Sequence, residues 1–172
     1  LSGRKGPVFI DVPRDFWDKE VEYEVLEPPS YRCVNEPMGD IQAIREAASM
    51  LLEAKYPLII VGGGVKWSRA GDVVIKLAEV LGIPVITTFM GKGAVPEDHE
   101  LVLGVGGYRV RNDAADTYLS RADLALIVGC RLSGAFTGDG RLRLPNRIIQ
   151  IEIDYSEIGK NYPVTIGIVG DI

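Results

Sequence analysis

Five short, largely apolar runs recur along the chain and leave few ways for it to fold. They are "LIIV" (58–61), "IPVITT" (83–88), "LALIV" (124–128), "RIIQIEI" (147–153) and a last run at 165–169. A strand with one wet face alternates apolar and polar residues, whereas a strand buried on both faces reads as a continuous apolar run. Between the runs the apolar period lengthens to that of a helix. Asp40 stands as an N-cap ahead of Ile41, Ile44, Ala48, Leu51 and Leu52, and "KYP" (55–57) closes that helix. A second helix is expected over about 68–81, with Val74, Leu77, Ala78 and Leu81 on one face and Gly82 as its stop. A third is expected over about 112–120. Buried strands alternating with amphipathic helices require an α/β fold, a parallel β-sheet with helices on both faces in a three-layer sandwich. The stretches 89–110 and 129–144 read as long loops.

In such a Rossmann-like, FAD/NAD-binding-domain-like sheet, ligands lie at the carboxyl ends of the strands, where the strand order reverses. The glycine-rich segments all begin at strand carboxyl ends. The first strand stops on Gly62, Gly63 and Gly64. Three consecutive glycines carry a high entropic cost, so something there needs positive φ angles or a bare backbone. Either a nucleotide phosphate approaches, or strand and helix pack closely. "GGGVKW" does not complete G-x-G-x-x-G, since Trp67 occupies the third glycine position. "GKG" (91–93) lacks the Ser or Thr of a phosphate-binding P-loop. His99, the single histidine, has no triad or metal cluster to join and reads as a surface or turn residue.

A net charge of -5 argues against nucleic acid as a partner. No apolar stretch approaches the roughly 20 residues that span a bilayer. Cys33 and Cys130 form no metal-spaced pair and no disulfide framework, so a cytoplasmic location is expected. The chain opens on Leu1 and starts and stops in strand-like patterns, which suggests a fragment.

The ordered segments "GPVFIDVPRD", "YPLIIVGGGV", "LGIPVITTFMGKGAVPEDHELVLG", "ADLALIVGCRLS" and "IIQIEIDYSEIGKN" resemble the acetolactate synthase large subunit and its thiamin diphosphate-dependent relatives. The resemblance implies that residues 1–15 are the terminal strand (7–12) of a preceding pyrimidine-binding domain. Residues 16–38 would be an interdomain linker and 39–172 the central domain. It further implies thiamin diphosphate and Mg2+ in the parent enzyme, at sites outside this segment, with flanking domains of the same chain and a homo-oligomer as partners. The implied activity is 2-oxo acid decarboxylation and carboligation, which these residues alone would not perform. Within the central domain the resemblance implies an FAD or ADP site made by Gly62, Gly63, Gly64, Thr88, Met90, Arg131, Glu152, Ile153 and Asp171. Flavin-binding members carry Met-His-Gly where this chain has "GYRVRN" (107–112), and Asp-Asp-Arg where it has "SGAFTG" (133–138), so ADP, or no ligand, gains over flavin. Gly-Asp-Gly (138–140) followed by Asn161 mimics the family's metal motif, but the strand at 147–153 intervenes and the match reads as coincidence. The alternatives are a ligand-free structural domain of another thiamin diphosphate decarboxylase or carboligase, a self-standing NAD-dependent enzyme, and a flavin electron-transfer domain.

Overall fold

In the computed structural model, residues 3–32 and 35–172 are described; Leu1 and Cys33 lie outside them. The chain divides into two units, Leu1–Glu36 and Pro37–Ile172.

The first unit contains two single-turn 3-10 helices, Arg14–Phe16 and Pro28–Ser30. The strand expected at 7–12 is absent: these residues carry no regular secondary structure, and Val8, Phe9 and Ile10 are exposed. An apolar run becomes a strand only when a neighbour accepts its main-chain hydrogen bonds, and no strand occurs among the described residues of this unit.

The second unit is built on six parallel strands: β1 (Pro57–Val61), β2 (Val85–Thr87), β3 (Val102–Val105), β4 (Leu124–Val128), β5 (Arg147–Glu152) and β6 (Ile166–Val169). Their order is β3-β2-β1-β4-β5-β6. The chain therefore moves outward from β1 to β3, then returns to the other side of β1. Successive side chains point to opposite faces. Ile59, Val61, Leu126, Val128 and Ile149 form one core with α1 (Ile41–Glu53), α2 (Gly64–Ser68) and α3 (Gly71–Leu81). Leu58, Ile60, Ala125, Ile127 and Ile148 form the other with α4 (Asp113–Arg121) and α5 (Gly134–Thr137). Two apolar cores around one sheet are the three-layer sandwich that the continuous runs require. Among the described residues no helix is long and apolar enough to cross a membrane.

Local chemistry sets the helix ends. Asp40 Oδ1 accepts the Ala43 N–H at 2.8 Å, and Gly82, at φ 64, closes α3 in the left-handed conformation that favours glycine. Asn112 caps α4 through the Ala115 N–H and donates to the Leu103 and Val105 carbonyls, which fastens that helix to β3.

Several expectations need correction. The helix expected over 68–81 runs from Gly71 to Leu81, and a separate short helix, α2, precedes it, because Arg69 turns left-handed (φ 55) and a Cβ on Gly71 would collide with the Ala94 carbonyl oxygen. The first helix is rotated: Ala47 and Leu51 are buried while Ile41, Ile44 and Leu52 are exposed, so small alanines let it lie close to the sheet. The loop expected at 89–110 contains β3, and the loop at 129–144 contains α5.

Asp123 joins two connections. Its carboxylate accepts the Lys55 and Tyr56 N–H groups at 3.0 and 2.9 Å. Burial acts to raise its pKa, but those hydrogen bonds and the nearby Arg147 outweigh it and hold the carboxyl below its ordinary value. A carboxyl depressed on folding contributes stability above its unfolded pKa, and that contribution is lost as the pH falls through the folded value. Asp123→Ala should therefore cost about 1–2 kcal/mol at pH 7, after allowance for solvent screening. Urea melts of both proteins should converge as the pH is lowered from 7 to 2.

Candidate functional site

The switch in strand order falls between β1 and β4. Both strands end in glycine. The Gly62 N–H donates to Val128 O at 2.8 Å, the Gly64 N–H to Gly129 O at 2.9 Å, and the Gly129 N–H to Ile151 O at 3.0 Å. The two loops thus touch backbone to backbone. A Cβ on Gly62 would land on the Gly129 carbonyl oxygen, and one on Gly64 would lie 2.6 Å from Gly129 Cα. None of Gly62, Gly63 and Gly64 has a positive φ; Gly63 sits at φ -65, ψ -21. Of the two needs set out for the triple glycine, the bare backbone is the one that applies. For Gly62 and Gly64 it serves packing of one strand-end loop on the other.

Gly63 differs. It is half-buried, and the atoms nearest a Cβ there would be those of Met90, its Cβ at 3.2 Å and its carbonyl oxygen at 3.3 Å. Among the described residues, no hydrogen bond uses its N–H. Met90 is brought alongside by a turn after β2, in which the Gly91 N–H donates to the carbonyl and hydroxyl oxygens of Thr88 at 2.9 and 3.1 Å. The Met90 side chain is exposed. Thr87, the last residue of β2, is fully buried and its hydroxyl has no hydrogen-bond partner among the described residues. Asp171 reaches the same edge: its carboxylate accepts from the Ser68 hydroxyl and the Ile172 N–H.

Arg131 follows β4 and is exposed. Glu152 ends β5 and is 6% exposed, with Oε1 accepting the Ile153 N–H at 3.1 Å. All nine residues singled out from the sequence therefore lie in or beyond the last residue of a strand on the carboxyl edge. Of these, Gly62, Gly63, Gly64 and Met90 converge on one spot. Gly129 belongs with them and was not singled out; its signal is an apolar run ending on glycine, like the first strand. Asn161 donates to Arg131 O at 2.9 Å, and among the described residues no group of three or more metal-binding side chains occurs. His99 is structural: Nδ1 accepts the Leu101 N–H, so Nε2–H faces Glu79 Oε1 at 3.1 Å and ties α3 to the segment before β3. Burial pushes the Cys130 thiol up to about 11, which leaves it unreactive at neutral pH.

This is a doubly wound α/β domain with bare backbone at its switch point, the class of fold that places ligands outside its strand ends. The chain belongs to the thiamine pyrophosphate enzyme central-domain family, whose profile matches residues 44–172. It is 42% identical over 177 residues to a protein of Methanocaldococcus jannaschii assigned as an acetolactate synthase large subunit, covering 99% of this chain and 29% of that protein. It is 38% identical to the acetolactate synthase large subunit of Corynebacterium glutamicum (99% and 28% covered), and 34% identical to a glyoxylate carboligase of Escherichia coli O157:H7 (99% and 29%). A solved structure from Mycobacterium smegmatis, assigned as thiamin diphosphate-dependent, superposes with a TM-score of 0.65 at 26% identity, over 86% of this chain and 28% of that one. The chain thus spans less than a third of the length of these relatives.

Proposed function

We propose that this domain is the nucleotide-binding scaffold of an acetolactate synthase-like enzyme, with ADP or FAD held at the β1/β4 switch point. The observation that carries the reading is Gly63, whose N–H has no partner among the described residues. Residues in the crevice fit such a group. The Gly63 amide and the Arg131 guanidinium suit a diphosphate, through charge-assisted hydrogen bonds. The Glu152 and Asp171 carboxylates suit ribose hydroxyls. Met90 supplies an exposed apolar wall for a flat ring. Thr88 holds the turn that places Met90.

For the whole protein the reading is decarboxylation of a 2-oxo acid followed by carboligation, in a homo-oligomer. Thiamin diphosphate with Mg2+, bound outside these residues, supplies the stabilised carbanion chemistry. This domain's part is to carry the crevice and hold the flanking domains apart. Acetolactate synthase stands ahead of glyoxylate carboligase because relatives of the first kind reach 42% identity and the second 34%.

Isothermal titration of the chain with ADP and with FAD tests the crevice. At least one should bind, and Arg131→Ala should weaken it about 10-fold or more, the loss expected for a hydrogen bond to a charged partner. Heat in neither titration would rule out the nucleotide site.

A further inference from the structure

We propose that Gln150 and Asn161 are positioning residues that hold Arg131 toward the crevice, an inference resting on the nucleotide reading above. Arg131 lies in the turn Gly129–Leu132, which is bracketed by two left-handed residues, Gly129 at φ 57 and Leu132 at φ 52. Glycine accepts that conformation freely; a leucine does not, and it persists only where its surroundings over-determine it. Leu132 is 1% exposed. Gly129 and Cys130 are buried as well, so the turn presents a single side chain to solvent, that of Arg131.

The contacts that fix this turn come from elsewhere in the chain. The Cys130 carbonyl accepts from Gln150 Nε2 at 3.2 Å, and the Arg131 carbonyl accepts from Asn161 Nδ2 at 2.9 Å. Gln150 also organises the segment that delivers Asn161. Its Nε2 donates to Glu157 O at 3.1 Å and its Oε1 accepts the Gly159 N–H at 2.9 Å. Glu157, itself buried, pairs with Lys160 at 3.1 Å. One buried amide thus locks the 153–161 segment, and that segment reaches back to the main chain of the residue that carries the cation. Backbone strain held by three separate segments is disproportionate for a plain chain reversal. It is economical if the direction of Arg131 matters.

Gln150 is too deeply buried for a clean test, so the variant is Asn161→Ala, at an exposed site. In a Cys33→Ser background Cys130 is the single thiol and reports on the turn directly. Maleimide trapping of Cys130 at pH 8, well below the melting temperature, should run about 10-fold faster in Asn161→Ala, as local opening increases. The melting temperature should stay within about 3 °C of the parent, as for other exposed substitutions. Asn161→Asp, which cannot donate, should behave like the alanine variant. ADP affinity should fall about 5-fold, and Asn161→Ala should add nothing further in an Arg131→Ala background, because one residue acts through the other. Unchanged Cys130 trapping would overturn the proposal, and so would additive losses in the double variant. If the parent binds neither ADP nor FAD, the nucleotide reading fails, and the positioning role is then decided by the trapping rates alone.

Discussion

Gly62→Ala and Gly129→Ala should yield no stably folded protein at 37 °C, whereas Gly63→Ala should fold and melt close to the parent. The three glycines lie within one loop pair, yet their surroundings differ in kind. A Cβ on Gly62 would overlap the Gly129 carbonyl oxygen and stand 2.5 Å from Cys130 Cβ. A Cβ on Gly129 would stand 2.7 Å from Gly64 Cα and 2.8 Å from Val65 N, at a φ of 57 that already costs a side chain about 1–2 kcal/mol. These obstacles are mostly main chain at the ends of two central strands, and the strands cannot part without breaking the ladder between β1 and β4. A combined loss above about 4 kcal/mol is expected, most of the stability of an ordinary domain. At Gly63 the backbone is right-handed helical and the nearest atoms are Met90 Cβ at 3.2 Å and Met90 O at 3.3 Å, on an exposed turn outside the sheet. Its alanine variant should lose no more than about 1 kcal/mol. Its methyl would, however, stand where a phosphate must approach, so nucleotide affinity should drop about 10-fold or more. Thermal melts and titrations of the three variants give the answer. A Gly62→Ala protein that melts like the parent would remove the packing argument. A Gly63→Ala protein that melts early and binds as before would remove the ligand argument.

That distinction between neighbouring glycines is where the sequence stops being legible. The five runs could be read as strands because burial on both faces writes itself as unbroken apolar residues. β3 could not, since "VLGV" (102–105) is a half-buried edge strand of four residues with a glycine inside it. The break between α2 and α3 depends on Arg69 turning left-handed and on the Ala94 carbonyl above Gly71, both matters of tertiary contact. The rotation of α1 follows from the same cause, because alanine at position 47 matters only once the sheet beneath is known. Residues 7–12 carry the composition of a strand, but composition does not supply a partner. At the site, the family resemblance named the nine residues, and the alternating pattern located the strand ends at which they fall. That Gly62 and Gly64 pack on Gly129 was not, because β1 and β4 become neighbours only through the reversal of strand order. Gln150 was equally hidden: one amide within "RIIQIEI" looks like an ordinary polar residue in a strand until the loops around it are placed.

The second large effect is expected at Gln150. Replacing it with leucine, a side chain of similar volume, keeps the packing beside Ile127 but strands three main-chain groups: the carbonyls of Cys130 and Glu157 and the N–H of Gly159. Each buried group left without a partner costs about 1–3 kcal/mol. Some will turn toward water as the loops loosen, so a net loss of about 3–5 kcal/mol is expected. Gln150→Glu separates lost hydrogen bonding from lost shape. Its carboxylate could still accept from Gly159 but would face two carbonyl oxygens, and burial with that repulsion should raise its pKa above the unfolded value. The protonated form can donate to one carbonyl, so this variant should regain stability relative to the parent as the pH falls from 7 toward 5, opposite in direction to the acid response at Asp123. Urea melts at both pH values read this out. A leucine variant that unfolds within about 1 kcal/mol of the parent would mean that the 153–161 segment stands without the amide. The turn carrying Arg131 would then owe its left-handed residues to Asn161 and the Gly64–Gly129 contact alone.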